Sequence, residues 1–445
     1  MTLATDSGRP IRIGHELAKG GQGEVLLLAD PPGFVLKRYF PEEIRKDPTL
    51  ERRLMAMTRH RPAHSGKDAS GHLTLSWPIE VARDRRVFTG FLMPLIDVSA
   101  TVELHRLANP SERPRTAAEG WITAFTWGHR VASAANLARA TATLHDAGTV
   151  IGDFNERNIR ISRTTLVTLL DCDSMQVADP ATGELFLCRV GRPEYTAPEL
   201  LGADWSRTVR QPSSDLFALA IHIYQLLMGG EHPFRGIWSG PGDKPASTAL
   251  ASRGVWAHGG GPLQPRPHAV AEWLLPREIM DLFRRAFEHG ARQPDARPTA
   301  AEWEQALRRL AADTRGCPAT PQHVFAAGLR ACPWCDRAAR SQAARNAPPA
   351  QAGAGIWAPA PAPSATGHRD PGPVGRPSAY PSSFSAPQSQ GLVPGSEQSK
   401  RLAWIVALSA VGLLLMLCLC GNLLSSGDTA RSAPRSLVPA MTANN

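Results

Sequence analysis

Three polar side chains follow apolar segments in the middle of the chain. Asp153 and Asn158 lie five residues apart in "VIGDFNERNI" (150–159), and Asp171 follows thirteen residues later in "LVTLLDCDSM" (166–175). Carboxylate and amide oxygens can bind a cation, and a carboxylate can also take a proton from a hydroxyl. These residues are therefore candidates for catalysis, but their spacing alone does not decide between the two roles.

A glycine-rich stretch, "LAKGGQGEVLLL" (17–28), precedes an apolar segment, "FVLK", that ends in Lys37. Glycines let a backbone approach phosphates closely because they carry no Cβ atom. Two strands joined by a glycine turn, with a lysine at a solvated strand edge, would produce the same pattern. Neither stretch is specific by itself.

The order of the motifs is more specific than any single motif. After Asp171 come Ala197-Pro198-Glu199 in "GRPEYTAPEL", Asp215 at the start of an apolar helix, and Arg297 in "ARQPDARPT". In this order, residues 11–312 resemble the protein kinase superfamily. The resemblance is closest to bacterial Ser/Thr kinases with a Cys/His zinc cluster and a membrane anchor. That group is sometimes described as protein kinase plus helix-hairpin-helix, although a helix-hairpin-helix part is not clear here.

The resemblance implies an α+β, bilobal protein-kinase-like fold with a β-rich N-lobe (11–98) and a helical C-lobe (99–312). It implies ATP and Mg²⁺ as cofactors, with Asp153 orienting the acceptor hydroxyl and taking its proton. Asn158 and Asp171 would hold Mg²⁺, and Lys37 would fix the ATP phosphates with Glu51 as its ion-pair partner (Glu42 and Glu43 are alternatives). The nucleotide would lie against Ala18, Gly20, Gly21, Gly23 and Val25. Glu199–Arg297 would be a buried ion pair, and Asp215 would anchor the catalytic loop.

Four positions depart from the family pattern. Ile151-Gly152 replaces the usual His-Arg, Asn155 replaces a lysine, Asp171-Cys172-Asp173 replaces Asp-Phe-Gly, and Arg192 replaces a threonine. Gly152 removes the arginine that would read a phosphate on the loop after Asp171, so regulation by that phosphate is not expected. Asp173 could help to bind magnesium or point away from it, and the sequence leaves both open.

A lysine of the family pattern is replaced by Asn155 and a threonine by Arg192, so the cation lost at one position could be supplied from the other. Loss of the usual lysine removes a cation from the transferring phosphate, which commonly costs about 10²–10³ in rate. Arg192 lies in the segment that normally touches that lysine and could return the charge. The alternative is that Arg192 is a solvated loop arginine. We therefore include Asn155 and Arg192 among the candidate catalytic residues.

A cysteine cluster follows the C-lobe in "GCPATPQHVFAAGLRACPWC" (316–335). Cys317, His323, Cys332 and Cys335 have the residue types and spacing of a Cys₃His zinc site, in a segment (313–340) with little core of its own. A redox Cys-x-x-Cys pair is the alternative, but no βαβ pattern surrounds it. The segment could be a structural zinc ribbon or a docking module for protein or nucleic acid.

The end of the chain predicts a membrane anchor. Residues 341–399 are rich in Pro, Ala, Ser and Gly and predict a disordered linker. The nineteen residues "LAWIVALSAVGLLLMLCLC" (402–420) carry no charge, and they predict a single transmembrane helix, 402–424, followed by a short tail, 425–445. Flanking charges do not set the orientation, but ATP and magnesium are cytoplasmic. We therefore expect a single-pass protein of the cell membrane with its kinase domain in the cytoplasm.

These features together predict a membrane-anchored Ser/Thr protein kinase acting on protein substrates. The net charge of +9 could indicate nucleic acid or an anionic membrane, but high arginine usage explains it as well, and nucleic acid is not favoured as a partner. One rival is a pseudokinase that binds ATP as a scaffold. A second is a nucleic-acid binder that uses the zinc segment. The sequence leaves open whether the protein forms a homodimer.

Overall fold

The computed structural model describes residues 3–346 apart from 64, 69, 110, 111, 113 and 268, without the side chains of 272, 341 and 343–346. It is a mixed structure of helices and sheets. Strands dominate up to residue 94, here called the sheet region. Helices dominate between residues 104 and 312, here called the helical region.

One curled antiparallel sheet organises the sheet region, with the strand order β1-β5-β6-β4-β3-β2. Leu26 and Leu28 of β3 and Leu36 of β4 are buried in one cluster, because alternate side chains along a strand point to the same face of the sheet. Lys37 pairs with Val25 of β3 and with Phe91 of β6, so it lies in the middle of the sheet. The strands are β1 (Leu3–Thr5), β2 (Arg12–Lys19), β3 (Gly23–Asp30), β4 (Phe34–Tyr39), β5 (Glu80–Asp84) and β6 (Val87–Pro94).

Two helices follow β4: α1 (Pro41–Lys46) and α2 (Leu50–Arg59). Asp47 followed by Pro48 predicts a helix with Asp47 as its N-cap and Pro48 as its first residue. The structure begins α2 two residues later, with Thr49 at its N-cap. The Asp47 carboxylate accepts the backbone N–H of Thr49 at 3.0 Å and thereby satisfies a donor before the helix. Leu54 and Met57 of α2 are buried, which fixes this helix against the sheet.

The apolar run "HLTLSWPIEV" (72–81) predicts a strand, but the strand is only partly present. Residues 72–79 form no extended strand, and β5 begins at Glu80. Leu75 instead makes an isolated parallel bridge with Leu169, and Trp77 Nε1 donates to the Met57 carbonyl at 2.9 Å. Leu75 and Trp77 are both buried. The apolar side chains of this segment are thus removed from water by tertiary packing, although the segment forms no continuous strand.

Besides short 3₁₀ helices and one π-helical turn, six α-helices and seven short strands are described between residues 95 and 312. The helices are α3 (Leu104–Ala108), α4 (Trp127–Asp146), α5 (Pro212–Leu227), α6 (Ser247–Arg253), α7 (Arg277–Arg284) and α8 (Ala300–Ala312). The strands are β7 (Thr101–Glu103), β8 (Ile159–Ser162), β9 (Val167–Leu169), β10 (Val177–Ala178), β11 (Leu185–Phe186), β12 (Ile237–Trp238) and β13 (Leu263–Gln264).

The segment "WGHRVASAANLARATATLHDAG" (127–148) predicts a long helix that Gly148 ends, and α4 agrees with this prediction. The Thr126 side chain caps its first turn by accepting the His129 N–H, and Gly148 takes the left-handed conformation, φ +69°, just after its end. Val131 and Leu137 of α4 are fully buried, because the helix packs against both α5 and α8. This helix therefore supports the catalytic segments that follow it in the chain.

A small third part contains β14 (Thr314–Gly316), β15 (Val324–Ala326) and α9 (Pro333–Asn346). The Trp334 ring lies 6.2 Å from the Trp127 ring of α4, and Trp334 Nε1 donates to the Val324 carbonyl at 2.7 Å. The segment is thus packed onto the helical region. Because α9 extends to Asn346, it overlaps the first residues of the predicted linker.

Within residues 3–346, none of the helices described has the length and apolar character needed to cross a membrane. The predicted span at 402–424, the tail at 425–445 and the linker beyond 346 lie outside the described residues.

Candidate active site

The loop that carries Asp153 is held by a buried carboxylate from α5. Asp215 accepts the backbone N–H groups of Ile151 at 2.6 Å and of Gly152 at 2.9 Å, and it contacts His145 Nε2 at 3.1 Å. Asp215 is only 2% exposed, so these hydrogen bonds form away from bulk water, where charge-assisted bonds are strong. The sequence-predicted anchoring role of Asp215 agrees with this geometry.

Two asparagines orient Asp153. The side-chain amide of Asn155 donates to Asp153 Oδ1 at 2.9 Å, and that of Asn158 donates to the Asp153 carbonyl at 3.1 Å. Asn155 is 2% exposed, and its own Oδ1 accepts the Arg157 N–H. Asn155 therefore acts on Asp153 directly, as a neutral donor that holds the carboxylate, rather than projecting into the solvent.

The orientation of Asn158 leaves an oxygen available for a cation. Its amide nitrogen faces the Asp153 backbone, and no hydrogen bond within the described part of the chain engages Asn158 Oδ1 or Asp171 Oδ2. Asp171 adopts the left-handed conformation, φ +55°, which aspartate tolerates better than most residues. Oxygen donors of this kind fit Mg²⁺.

Lys37 is clamped between two carboxylates. Its Nζ lies 2.8 Å from Asp171 Oδ1 and 2.7 Å from Asp173 Oδ2. Burial opposes the charged lysine, but the two carboxylates outweigh burial and raise the pKa of Lys37. The side chain stays a cation, aimed at the place where Asp171 could hold a metal ion.

The two carboxylates differ in environment. Burial raises the pKa of Asp171; Lys37 lowers it, but burial together with the charge of Asp173 outweighs the lysine. Burial alone would also raise the pKa of Asp173, but Lys37 and the Tyr39 hydroxyl, which donates to Asp173 Oδ2, lower it. Asp173 is therefore an ionised and almost fully enclosed partner of Lys37, whereas the side chain of Asp171 is 33% exposed.

The prediction that Glu51 pairs with Lys37 is wrong for this structure. Glu51 of α2 forms an ion pair with Arg83 of β5 instead. The Asp171 and Asp173 carboxylates already pair with Lys37, so the lysine needs no partner from α2. The alternatives Glu42 and Glu43 lie on α1, and Glu43 pairs with Lys46. The sequence showed Asp173 as a departure from the Asp-Phe-Gly pattern but left its role open. The structure shows that it is the ion-pair partner of Lys37.

The glycine-rich turn joins β2 and β3. Gly20 N–H donates to the Gly23 carbonyl at 2.8 Å, and Cβ atoms built at Gly20 or Gly21 would meet almost nothing. A Cβ at Gly23 would lie 2.2 Å from the Arg38 carbonyl oxygen. Only glycine fits at position 23, because the backbone of β4 lies too close for a Cβ atom. Gly20 and Gly21 have free space around them, so a ligand can approach the backbone of the turn. Ala18 pairs with Val25 at the base of the turn.

Arg192 lies near the same loop but outside the contacts of Asp153. Its Nη1 is 3.9 Å from Glu156 Oε1, a long ion pair, and its side chain is 39% exposed. The Arg192 side chain can leave this ion pair at little cost in free energy, because solvent-exposed ion pairs contribute little to stability. Its suggested compensation for Asn155 stays a prediction.

An ion pair supports the segment that follows. Arg297 makes two parallel bonds to Glu199, at 2.7 and 2.6 Å, and also donates to the carbonyls of Ser213 and Gly290. The Arg297 side chain has no exposed surface. This bidentate pair ties the Ala197-Pro198-Glu199 motif to the start of α5, as the sequence predicts.

The four predicted metal ligands come together in the third part of the chain. The donor atoms of Cys317, His323, Cys332 and Cys335 all lie within 4.8 Å of one another. Cys317 Sγ is 3.7 Å from Cys335 Sγ, and His323 Nδ1 is 3.6 Å from Cys332 Sγ and 3.4 Å from Cys335 Sγ. Three thiols and one imidazole converging in this way could hold a four-coordinate metal ion.

The curled sheet, the anchored Asp153 loop and the clamped lysine agree with a protein kinase-like class. Over 348 residues the chain is 32% identical to protein kinase YegI of Escherichia coli O157:H7, covering 75% of this chain and 50% of that protein. It is 31% identical to protein kinase YegI of Escherichia coli strain K12 over 349 residues. No protein-family model matches the chain. These similarities support a protein kinase-like family, although the chain spans only about half the length of these relatives.

Proposed function

We propose that this chain transfers the γ-phosphate of magnesium-bound ATP to Ser or Thr hydroxyls of proteins. The observation that carries the proposal is the position of Lys37, whose Nζ lies within 2.8 Å of Asp171 and Asp173. A cation and free carboxylate oxygens held together in this way suit a metal-bound polyphosphate. The names of the two relatives support kinase activity in general.

Each residue would have a defined task. The carboxylate of Asp153 would orient the acceptor hydroxyl and take its proton, while Asn155 keeps that carboxylate in place. Asn158 Oδ1 and Asp171 would bind Mg²⁺, which neutralises phosphate charge when it is bound. Lys37 would hold the phosphates, and the open turn at Gly20 and Gly21 would cover them.

The Cys/His cluster would bind one zinc ion. In a tetrahedral site, Zn–S bonds of about 2.3 Å and Zn–N bonds of about 2.0 Å give S···S edges of about 3.8 Å and S···N edges of about 3.5 Å. The observed separations of 3.7 Å between Cys317 and Cys335, and of 3.6 and 3.4 Å to His323, are close to those edges. The zinc would be structural, since it lies in a small segment with few buried side chains of its own.

The uncharged run at 402–420 supports a further part of the proposal, a single-pass anchor in the cell membrane. Its length suits a helix across the hydrocarbon core. The catalytic part would then face the cytoplasm, where ATP and magnesium are available, and would meet protein substrates there. Fractionation of cells expressing the full chain, beside a version truncated after residue 400, tests this: only the full chain should sediment with membranes.

Radiolabelled ATP tests the main proposal. The full chain in detergent, with Mg²⁺ and dephosphorylated casein as acceptor, should transfer label that is recovered as phosphoserine or phosphothreonine. Lys37→Met and Asp153→Ala should each reduce transfer by several orders of magnitude, because the groups act in the transition state. Label on tyrosine only, or undiminished transfer in both variants, would contradict the proposal.

The alternative is an ATP-binding scaffold without transfer. The observation that favours it is Asn155, which leaves no lysine beside Asp153. That alternative predicts wild-type protein that binds ATP with Mg²⁺, measured by calorimetry, yet labels neither itself nor several acceptors. The same measurement on Lys37→Met shows whether the binding uses this site.

A further inference from the structure

One arginine contacts three separate segments around the candidate site. Arg210, just before α5, donates from Nη2 to the Val190 carbonyl at 2.7 Å. Its backbone makes two hydrogen bonds with the Gln176 side chain, at 2.9 and 2.7 Å. Gln176 in turn pairs through its backbone with Val150, at the start of the Asp153 loop. Arg210 therefore links two points of the segment after Asp171, at Gln176 and at Val190, to the loop that carries Asp153.

The guanidinium of Arg210 is buried without an acidic partner. Arg210 is 3% exposed, and no carboxylate in the described residues lies within ion-pair distance of it. Its guanidinium carbon lies 4.9 Å from the centre of the Trp205 ring, and its Nε has no hydrogen-bond partner among the described atoms. Burying a charge without an ion pair costs folding free energy. A function of Arg210 would explain why the guanidinium lies there despite this cost.

Gly152 makes room for this guanidinium. A Cβ built at Gly152 would lie 2.8 Å from Arg210 Nη1 and 2.6 Å from Cys188 Sγ. Gly152 also has φ +73°, which other residues adopt only with strain. No side chain fits at this position while Arg210 is in place. The arginine that the family pattern would put at residue 152 is thus excluded, and Arg210 brings a guanidinium to the same space from another element.

We propose that Arg210 is a built-in latch: it holds the segment 171–199 in its working position, so that phosphate transfer does not wait for phosphorylation of that segment. The inference rests on the proposed kinase function and adds its mode of regulation. Two observations support it beyond the latch itself. The hydroxyls of Ser174 and Thr196 are already engaged, donating to the carbonyls of Asp171 and Arg192 at 2.9 and 2.8 Å. Arg210 is a positioning residue in this scheme, since it acts through Val190 and Gly152.

The test compares initial rates of unphosphorylated protein. Full-length chain is produced with a co-expressed phosphatase, which is then removed, and mass spectrometry verifies that no phosphate remains. Transfer to dephosphorylated casein is followed from the first turnovers, with and without pre-incubation with Mg-ATP. The latch predicts a linear time course and the same rate in both samples.

Three variants test the residue itself. Arg210→Gln should lower kcat about 100-fold with little change in ATP affinity, because misplacement by about 1 Å costs that much. Arg210→Lys should recover part of the loss, since an ammonium can still donate to the Val190 carbonyl. The control Arg207→Gln changes an exposed arginine of the same loop and should keep the wild-type rate. Amide exchange at residues 188–191 should accelerate in Arg210→Gln, while exchange within α5 stays slow.

The outcomes separate the latch from the proposed function. A lag that disappears after pre-incubation, with phosphate found on Ser174, Thr182 or Thr196, would overturn the latch and leave kinase activity in place. An undiminished rate in unphosphorylated Arg210→Gln would overturn it as well. If Arg210→Gln fails to fold, the time course of the wild-type protein still decides. Absence of transfer under every condition would instead overturn the proposed function.

Discussion

Lys37 Nζ lies 2.7 Å from Asp173 Oδ2, although the two residues are 136 positions apart in the chain. Asp173 is two residues after the proposed metal ligand Asp171, so the partner of the lysine and the metal site belong to one short turn. The position of Lys37 therefore depends on this turn and not on α2. Helix α2 is tied elsewhere, with Arg52 paired to Glu184 and Arg59 paired to Asp179.

Replacement of Asp173 should affect transfer more than replacement of Glu51. Asp173→Asn removes the enclosed partner of Lys37, and we expect kcat/KM for ATP to fall about 100-fold because the lysine is no longer held. Glu51→Gln, which breaks only the pair with Arg83, should stay within about twofold of wild type because exposed pairs contribute little. Steady-state kinetics at varied ATP concentration measures both. A comparable loss in Glu51→Gln would mean that Lys37 changes partners when the nucleotide binds.

A double-mutant cycle tests compensation between Asn155 and Arg192. Arg192→Thr should lower kcat with ATP affinity nearly unchanged, because the cation would act mainly in the transition state. Asn155→Lys alone should also lower kcat, since Asn155 holds the Asp153 carboxylate. Compensation predicts that Asn155→Lys is less harmful, or even beneficial, in the Arg192→Thr background. Additive effects, or an Arg192→Thr effect confined to the KM of the protein acceptor, would show that Arg192 is a loop residue or a peptide contact.

Metal analysis tests the Cys/His cluster. Protein purified without chelators should contain one zinc per chain, and Cys332→Ser should reduce it and make residues 313–346 sensitive to protease while the helical region stays protected. Asp336→Asn is the matched control, because Asp336 neighbours the cluster but pairs with Arg340. A metal-free protein with a Cys332–Cys335 disulfide would favour the redox alternative.

Acid should destabilise the helical region through buried histidines. Burial lowers the pKa of His222 to about 4, from an ordinary value of 6.5, and does the same for His232. The unfolded chain then binds protons more readily than the folded chain between pH 6.5 and 4, so the free energy of unfolding falls as the pH drops through this window. It should stay level, as far as these groups are concerned, above pH 6.5.

His222→Gln separates this effect from general acid sensitivity. The glutamine amide can still donate to the Phe154 carbonyl, which His222 Nε2 contacts at 2.9 Å, but it does not titrate. Thermal unfolding from pH 7.5 to 4.5 should therefore show a smaller drop in Tm for His222→Gln than for wild type. His15→Gln, on the exposed face of β2, serves as control and should follow the wild-type curve. If Tm falls with pH equally in all three proteins, protonation of His222 is not the cause of the acid destabilisation.

Several features of the fold could be predicted because their causes are local. The helix α4 is marked in the sequence by the long segment 127–148 that Gly148 ends, and it lies at Trp127–Asp146. Most strands of the sheet region follow from short apolar runs between turn residues. The apolar segment 72–79 shows the limit of this reasoning: Leu75 makes only an isolated bridge to β9, and Trp77 donates to the carbonyl of Met57 in α2, so the segment is held without forming a continuous strand.

The sequence by itself determined which residues could form the site, because the order and separation of Lys37, Asp153, Asn158 and Asp171 are readable along the chain. The tertiary structure decided how they pair. The ion pair of Lys37 with Asp173 and the packing of Arg210 against Gly152 join residues whose local propensities carry no information about each other. A carboxylate on α2 and one after Asp171 are equally good partners for a lysine in sequence terms. Only the packing of the sheet against the turn at Asp171–Asp173 brings one within 3 Å and leaves the other with Arg83.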